Sequence, residues 1–487
     1  MQSFCVYVHS ICVRAMVSSP DFSQGVPLCD VFVHGSGECE QLGLGDGVLE
    51  RKKPTLVKSL IDAQIVAIAV GSLHNLALTV DGQVYSWGCN DEGALGRVGE
   101  ENVPMLIPGL AGIPIRSVSV GDCHSVFLDY SGRVWLCGTY KDSSGHLGFP
   151  DFAKGIGHVH HKSMEPVLVS GLPPKTRVEE ISSGANHTIV LVSSTDKRRS
   201  SQLGFRVMAW GNDEFGQLGL GREEEEGRPE EDTVMLKHTR RGKRHQKAKL
   251  FPRDCAIGPA MGCWASAQGS FLRLGDGSIL GCGLNNFGQL GMGVTSPFPV
   301  RLFVRITPLS EMGSIAWIGG GTVHSAARTE DGRVYTWGRR DYCGLPAGGG
   351  DVQPPLPVSL PPVRRVSCGG SHTLAATQDG CVYAWGFGGT NQLGNLPRDV
   401  SLGAPPPDEM PEDEAEPYLM DSKQLAARYV IAVGAGAQHS VELAWTPDTY
   451  VPDLAAQLSE MCVRTTPKRK SGGIYSEAKR HRQLLLE

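Results

Sequence analysis

The sequence predicts an all-β fold, a seven-bladed β-propeller with circular closure of the last blade by the N-terminal strand. Two repeated phrases and their order support this prediction. The first phrase joins a β-branched and aromatic run to a glycine, a polar turn and a Leu-Gly pair, as in VYSWGCNDEGALG from Val84 to Gly96. Such alternating runs with Gly-containing turns are typical of short strands in hairpins. The seven copies begin at Val31, Val84, Val134, Val207, Ile279, Val334 and Val382.

The second phrase is a glycine three residues before a histidine, with apolar residues on both sides. Successive copies lie roughly 50 to 70 residues apart, and self-similarity at such a period indicates a propeller or a solenoid. The units lack the apolar spacing that a helical solenoid needs, so we expect about four short strands per unit. GCWA, from Gly262 to Ala265, is interpreted as a degenerate seventh copy. The six complete copies end at His74, His124, His187, His324, His372 and His439.

The order of the phrases at the two ends predicts how the ring closes. The chain opens with the first phrase at Val31 and ends with the second phrase, GAQHSVELAW. Each end therefore holds half of a unit. A circular array in which the first strand completes the last blade leaves no unpaired sheet edge.

Composition shifts divide the chain. We predict an N-terminal extension over 1–29, the propeller over 30–445 and a basic C-terminal tail over 446–487. Two inserts are expected within the propeller. Residues 222–253 form an acidic block followed by a basic block, and such blocks are usually solvated. Residues 399–421 are rich in proline and acidic residues, too poor in core-forming side chains to fold alone.

Bulk properties exclude several classes of protein. The formal net charge of -5 gives no overall attraction to nucleic acid or membrane. No apolar run approaches the length of a membrane span, and no basic residue precedes the short apolar stretch from Phe4 to Val13, so neither a membrane protein nor a secretory signal is expected. The fourteen cysteines lack Cys-x-x-Cys spacing and are expected to be small buried residues.

The WG, polar turn, QLGLG and Gly-x-x-His pattern resembles the regulator of chromosome condensation family over about residues 30 to 445. The stretches from Leu42 to Pro54 and from Tyr85 to Arg97 are most similar to the first two blades of its founding member, a guanine-nucleotide exchange factor for the small GTPase Ran. The resemblance implies an exchange factor that works by binding, without covalent chemistry or cofactor. It also implies a monomer, associated with chromatin in the nucleus.

The resemblance implies two groups of functional residues. One is a wedge that presses against the GTPase, formed by Lys141, Asp142, Ser143, Ser144, Gly145 and His146. Asn186 departs from the family pattern, which has an aspartate there, and losing that charge is expected to weaken exchange. The other group is a set of GTPase-facing rim positions, Glu38, His74, Asp122, Asn186, His324 and His439.

Basic segments are the expected contacts with DNA and histones. The family's arginine-bearing nucleosome contact corresponds to 222–253, but the first half of that insert is mostly glutamate here, which puts a histone contact at this loop in doubt. The C-terminal tail instead resembles a bipartite nuclear-import signal that also allows contact with phosphates. Its basic residues are Lys468, Arg469, Lys470, Lys479, Arg480 and Arg482.

Alternatives remain open. A non-catalytic propeller scaffold that binds chromatin or other proteins is favoured by Asn186 and the glutamate-rich insert. A light sensor of the plant ultraviolet-B receptor type would need a tryptophan cluster that the sequence lacks. His158, His160 and His161 suggest a metal site, but no cysteine or acidic partner lies at ligand spacing, so we predict a solvated loop and no metal.

Overall fold

A computed structural model describes residues 26–194, 204–221, 247–346, 348–395, 413–426 and 428–451. Its strands form seven four-stranded antiparallel units, an arrangement that fits a seven-bladed β-propeller. We number the blades from the first complete unit. Blade 7 combines the N-terminal strands β1 (Val26–Ser36) and β2 (Glu50–Leu56) with two C-terminal strands. Blade 1 contains β3 (Ile65–Val70), β4 (His74–Thr79), β5 (Val84–Gly88) and β6 (Met105–Leu106).

Blade 2 has a small extra sheet inserted between its last two strands. Its four strands are β7 (Ile115–Val120), β8 (His124–Asp129), β9 (Val134–Gly138) and β13 (Ser163–Leu168). The inserted sheet contains β10 (Tyr140–Asp142), β11 (Gly145–Pro150) and β12 (Val159–His160). Blade 3 contains β14 (Thr176–Ser183), β15 (His187–Ser194), β16 (Arg206–Gly211) and β17 (Arg253–Asp254).

The remaining blades have the same plan. Blade 4 contains β18 (Ala260–Ser266), β19 (Gly269–Leu274), β20 (Ile279–Gly283) and β21 (Val300–Arg305). Blade 5 contains β22 (Ile315–Gly320), β23 (His324–Thr329), β24 (Val334–Arg339) and β25 (Val352–Pro357). Blade 6 contains β26 (Val363–Cys368), β27 (His372–Thr377), β28 (Val382–Gly386) and β29 (Glu414–Leu419). The C-terminal strands of blade 7 are β30 (Tyr429–Ala435) and β31 (His439–Val451).

Helical structure among the described residues is limited to residues 247–248 and to short segments at Lys58–Leu60, Pro108–Leu110, Thr307–Ser310 and Arg340–Tyr342. None of the helices in the described part of the chain has the length and apolar character needed to cross a bilayer. The all-β prediction is therefore confirmed.

The core lies between the faces of adjacent blades. Leu76 and Trp87 of blade 1 belong to the same buried cluster as Phe127 of blade 2 and Val441 of blade 7. Every residue of β4 is buried, because a strand inside a blade has a neighbouring blade on both faces. The strict alternation of apolar and polar residues is consequently lost in such strands.

The Leu-Gly pair of the first phrase is explained by a contact between neighbouring blades. A Cβ on Gly43 would lie 2.5 Å from Cδ1 of Trp87 in the next blade, and Gly43 has a φ of +64°. A side chain there would be both strained and in collision with the tryptophan. The same relation joins Gly344 to Trp385. The glycine of one copy therefore makes room for the tryptophan of the next.

The Gly-x-x-His phrase is a second contact between blades. A Cβ on Gly71 would lie 2.6 Å from the Gly121 carbonyl oxygen of the next blade, so only glycine fits. His74 is fully buried, and its Nε2 lies 2.9 Å from Ser125 Oγ. The same His-to-hydroxyl contact joins His187 to Ser270, His324 to Thr373 and His372 to Ser440.

The degenerate copy predicted at Gly262 was wrong. Residues 262–265 lie inside β18, and Ser266 pairs with Gly269 at the turn into β19. Gly269 therefore stands at the strand start that a histidine occupies in the other blades. Blade 4 lacks the buried imidazole because glycine replaces it.

The structure also changes the predicted boundaries. Strand β1 begins at Val26, before the expected start of the propeller, and β31 continues to Val451. The described residues at the end of each predicted insert belong to the folded blades. Leu250 and Phe251 are buried core residues, and β29 makes the end of the Pro-rich acidic stretch the outer strand of blade 6. Glu414 of β29 is buried and accepts a hydrogen bond from Asn395 Nδ2 at 3.0 Å, which explains an acid in that strand.

Candidate functional site

A cavity of about 470 Å³ lies where the inner ends of the blades meet. All seven blades line it, and each contributes at least one of the variable residues just before the start of its second strand, between glycine and histidine in the second phrase. These are the positions at which the repeats differ chemically, so the cavity is where the molecule departs from its repeat symmetry. One lining residue from each blade in turn is Ser72, Asp122, Asn186, Gln268, Thr322, Gly370 and Ala437.

Asp122 is the central acid on one side of this cavity. The Ser72 hydroxyl donates a hydrogen bond to Oδ1, and Asn186 Nδ2 donates to Oδ2 at 3.4 Å. Burial raises the pKa of Asp122, and the Ser72 hydrogen bond and the charge of Lys141 oppose that effect. The carboxyl group is thus held in place by donors from both neighbouring blades.

Asn186 joins Asp122 to the inserted sheet. Its Oδ1 accepts a hydrogen bond from the backbone N of Lys141 at 2.8 Å, while its Nδ2 donates to Asp122. An amide can accept and donate at once, whereas an ionised carboxylate can only accept. The amide at this position therefore matches its two partners.

The predicted wedge residues form the tip of the β10–β11 hairpin, where Asp142 pairs with Gly145. Glu214 of blade 3 holds the tip by accepting from the Ser143 backbone N at 2.9 Å and from its hydroxyl. On the other side, Lys141 Nζ lies 2.7 Å from Glu92 Oε1 of blade 1. The hairpin is consequently anchored to the blades on both sides. Lys141, Asp142 and Ser143 line the same cavity as Asp122.

Glu92 lies among three basic side chains. His146 Nε2 is 3.3 Å from Glu92 Oε1, and the rings of His146 and His161 have centroids 4.2 Å apart. Burial by itself would raise the pKa of Glu92, but the hydrogen bond and charge of Lys141, with the two imidazoles, hold it below its usual value.

The predicted rim placement of His74, His324 and His439 was wrong. All three rings are buried between blades. Burial lowers the pKa of His74 and His324 to about 4, and burial with nearby histidines lowers that of His439 to about 3. These rings are neutral near pH 7 and serve the contacts between blades. The sequence pattern could not separate burial from exposure here, because apolar neighbours on both sides suit either environment.

The structure does not bring the other predicted residues into this site. Glu38 is exposed in the loop after β1 and is not among the residues that line the cavity. The six tail residues Lys468, Arg469, Lys470, Lys479, Arg480 and Arg482 lie outside the described residues. Lys249, in the basic half of the first insert, forms an ion pair with Asp213 at 2.6 Å instead of facing solvent freely.

Three residues of the site were missed by the sequence predictions. Ser72 could have been found, because it holds a variable position of the second phrase, as Asp122 does. Glu92 and Glu214 lie in polar turns of the first phrase, where acids are common, and only the fold brings them to the hairpin.

The fold and site together define a class of protein: an all-β propeller with a cavity that all seven blades line and a hairpin anchored at its edge. The chain belongs to the family of proteins with an RCC1-like domain, which matches residues 30–442. The regulator of chromosome condensation of Mus musculus is 33% identical over 432 residues, covering 85% of this chain and 90% of the relative.

One solved structure and one further relative are also similar to this chain. The crystal structure of Prp20p from Saccharomyces cerevisiae has a TM-score of 0.72 and 26% identity, covering 91% of this chain and 96% of that chain. The ultraviolet-B receptor of Arabidopsis thaliana is 30% identical over 364 residues, covering 73% of each chain. The family thus includes proteins of different function.

Proposed function

We propose that this protein is a guanine-nucleotide exchange factor for the small GTPase Ran and acts by binding, without making or breaking a covalent bond. The observation that carries the proposal is the placement of the hairpin residues Lys141, Asp142 and Ser143 on the same cavity as Asp122 and Asn186. The likeness to regulators of chromosome condensation along most of both chains supports it.

The mechanism follows from linkage. A factor that prefers the nucleotide-free GTPase must weaken nucleotide binding by the same factor by which nucleotide weakens its own binding. The hairpin would displace the loop that holds the phosphates, and Asp122 would offer a partly buried carboxylate to a basic partner surface. The direction of exchange is then set by the excess of GTP in the cell.

We also infer that the protein associates with chromatin in the nucleus. Prp20p has binding properties to Gsp1p and histones, and this supports an association of the present protein with chromatin. The basic C-terminal tail and the basic half of 222–253 offer positive charge for DNA phosphates.

We further infer circular closure of the propeller by the N-terminal strand. The pairing of β1 with β31 from Val26↔Val451 to Gly35↔His439 supports this closure. The contact of His439 Nε2 with Asn75 Oδ1 at 2.8 Å, between blades 7 and 1, has the same form as the His contacts of the other blades.

A non-catalytic scaffold is the second candidate. Asn186 favours it, because the family's exchange factor has an acid at this position, and the presence of a photoreceptor among the relatives indicates that the fold alone does not specify exchange.

The deciding experiment measures release of fluorescent GDP from Mg²⁺-loaded Ran with this protein in catalytic amounts. We expect the parent to accelerate release and Asp122→Ala to lower that acceleration by at least about tenfold. Glu100→Ala, which removes an exposed acid that does not line the cavity, serves as the control. No acceleration by the parent or by Asn186→Asp would reject exchange and favour the scaffold.

A further inference from the structure

Glu92, His146 and His161 come together from three separate places in the chain. Glu92 lies in the turn after β5 of blade 1, His146 is in β11, and His161 follows β12. One carboxylate oxygen and one nitrogen from each imidazole lie within 4.8 Å of one another. Sequence spacing around His158, His160 and His161 could not predict this cluster, because its acidic member belongs to another blade.

We propose that Glu92, His146 and His161 form a Zn²⁺ site that fastens the β10–β11 hairpin to blade 1. Two imidazoles and a carboxylate are a ligand set that Zn²⁺ uses, with a fourth position left to water. Bond lengths of about 2.0–2.2 Å require ligand atoms ~3.4 Å apart around a tetrahedral ion. The observed spacing needs only small rotations of side chains.

The backbone around each ligand is already held. His146 pairs with Lys141 in the hairpin register, and the His161 carbonyl accepts a hydrogen bond from Thr139 Oγ1 at 2.7 Å. The Glu92 turn is closed by Gly93 N donating to the Asn90 carbonyl at 2.9 Å. An ion would therefore bind without ordering a flexible segment, which lowers the entropic cost of binding.

One carboxylate oxygen of Glu92 is available to coordinate an ion. Its Oε1 is shared by Lys141 Nζ and His146 Nε2, whereas Oε2 is buried and has no hydrogen-bond partner among the described residues. A buried polar atom without a partner costs free energy, and coordination of a cation would remove that cost. The side chains of His146 and His161 are accessible, so an ion can enter from solvent.

The test is a calorimetric titration of the full chain with Zn²⁺ in a phosphine reductant that keeps the thiols reduced. We expect His146→Ala and His161→Ala each to lose about one equivalent of Zn²⁺ relative to the parent. His158→Ala is the matched control, since it removes an exposed histidine of the same loop outside the cluster, and it should retain that equivalent.

Two further measurements separate this site from cysteine sites and from unfolding. Co²⁺ bound at the cluster should give a visible spectrum without the thiolate charge-transfer band, and His146→Ala should abolish it. Equal thermal midpoints without metal will establish that the variants fold. Parent-like stoichiometry and affinity in both histidine variants would overturn the proposal, and so would a signal that comes only from thiolates.

A separate measurement tests whether Zn²⁺ fastens the hairpin. Hydrogen–deuterium exchange of the peptide covering 140–150 should slow at least several-fold with Zn²⁺ in the parent and stay unchanged in His161→Ala. Any effect of the metal on nucleotide exchange rests on the proposed function. Because Zn²⁺ binding is measured without the GTPase, absence of exchange activity would reject that function and leave the metal site standing.

Discussion

His34 and Glu442 lie at opposite ends of the chain, yet His34 Nε2 is 2.9 Å from Glu442 Oε1. Both side chains are fully buried, and His34 Nδ1 also lies 3.0 Å from the Asn391 carbonyl oxygen. In the first phrase, His34 holds the position that Trp87 holds in the next copy. Blade 7 has therefore replaced the usual tryptophan by a polar pair that joins its N-terminal and C-terminal strands.

Removal of one member of this pair should destabilise the whole fold. Glu442→Ala leaves a buried imidazole without its partner, and breaking a buried pair in this way costs about 3 kcal/mol. We expect the midpoint of urea unfolding to fall accordingly. Glu38→Ala, which removes an exposed acid near the same strand, is the control and should leave the midpoint unchanged. Equal midpoints for both variants would mean that the pair does not hold blade 7 together.

The buried histidines should make stability depend on pH. The pKa of His74 is lowered to about 4 in the folded protein, because burial disfavours the charged ring. As pH falls below about 6.5, the His74 ring binds a proton in the unfolded chain, whereas in the folded chain it stays neutral down to about pH 4. The free energy of unfolding therefore decreases between these two pH values. Between pH 7.5 and 5.5 this loss is about 1 kcal/mol for one such ring.

A pair of variants tests this effect. His74→Gln should lose about 1 kcal/mol less than the parent between those two pH values, measured by urea unfolding. Ser125→Ala removes the hydroxyl that contacts the ring but keeps the ring buried, so it should destabilise at every pH and retain the dependence of the parent. Parallel stability curves for His74→Gln and the parent would contradict this account.

The repeats made the fold predictable, whereas the site was only partly so. The seven phrases located the strands because strand, glycine and turn must recur wherever blades pack alike. Asp122 and Asn186 could be found as residues that differ between otherwise equal units. The partners Glu92 and Glu214 could not be found, because their contacts with the hairpin depend on how neighbouring blades are placed.

Asn186→Asp should lower the free energy of unfolding less at low pH than at high pH. The substitution removes the amide donor to Asp122 and places a second carboxylate beside it, where burial already raises the pKa of Asp122. Two adjacent carboxyl groups can share a proton near pH 5 but repel each other near pH 8. Their pKa is then raised in the folded state, so stability is lost as pH rises.

Urea unfolding at the two pH values measures this repulsion. We expect Asn186→Asp to cost about 1–2 kcal/mol more at pH 8 than at pH 5. Asn186→Ala is the matched control, because it also removes the hydrogen bonds but adds no charge, and its cost should be similar at both values. If the two variants respond to pH alike, Asn186 and Asp122 do not interact as the structure places them.

The anchored hairpin tip gives the last prediction. Ser143→Ala removes the hydroxyl bond to Glu214, and Glu214→Ala removes both the hydroxyl and the backbone contact. A hydrogen bond to a charged group contributes about 1.5–3 kcal/mol. Loss of even about 1 kcal/mol in holding the tip corresponds to about a fivefold change in rate. On the proposed function, both variants should therefore lower the rate of GDP release from Ran about fivefold or more. Glu100→Ala is the control, since it removes an exposed acid that belongs neither to the hairpin nor to the cavity. Rates equal to the parent for all three variants would show that the anchor of the tip plays no part in exchange.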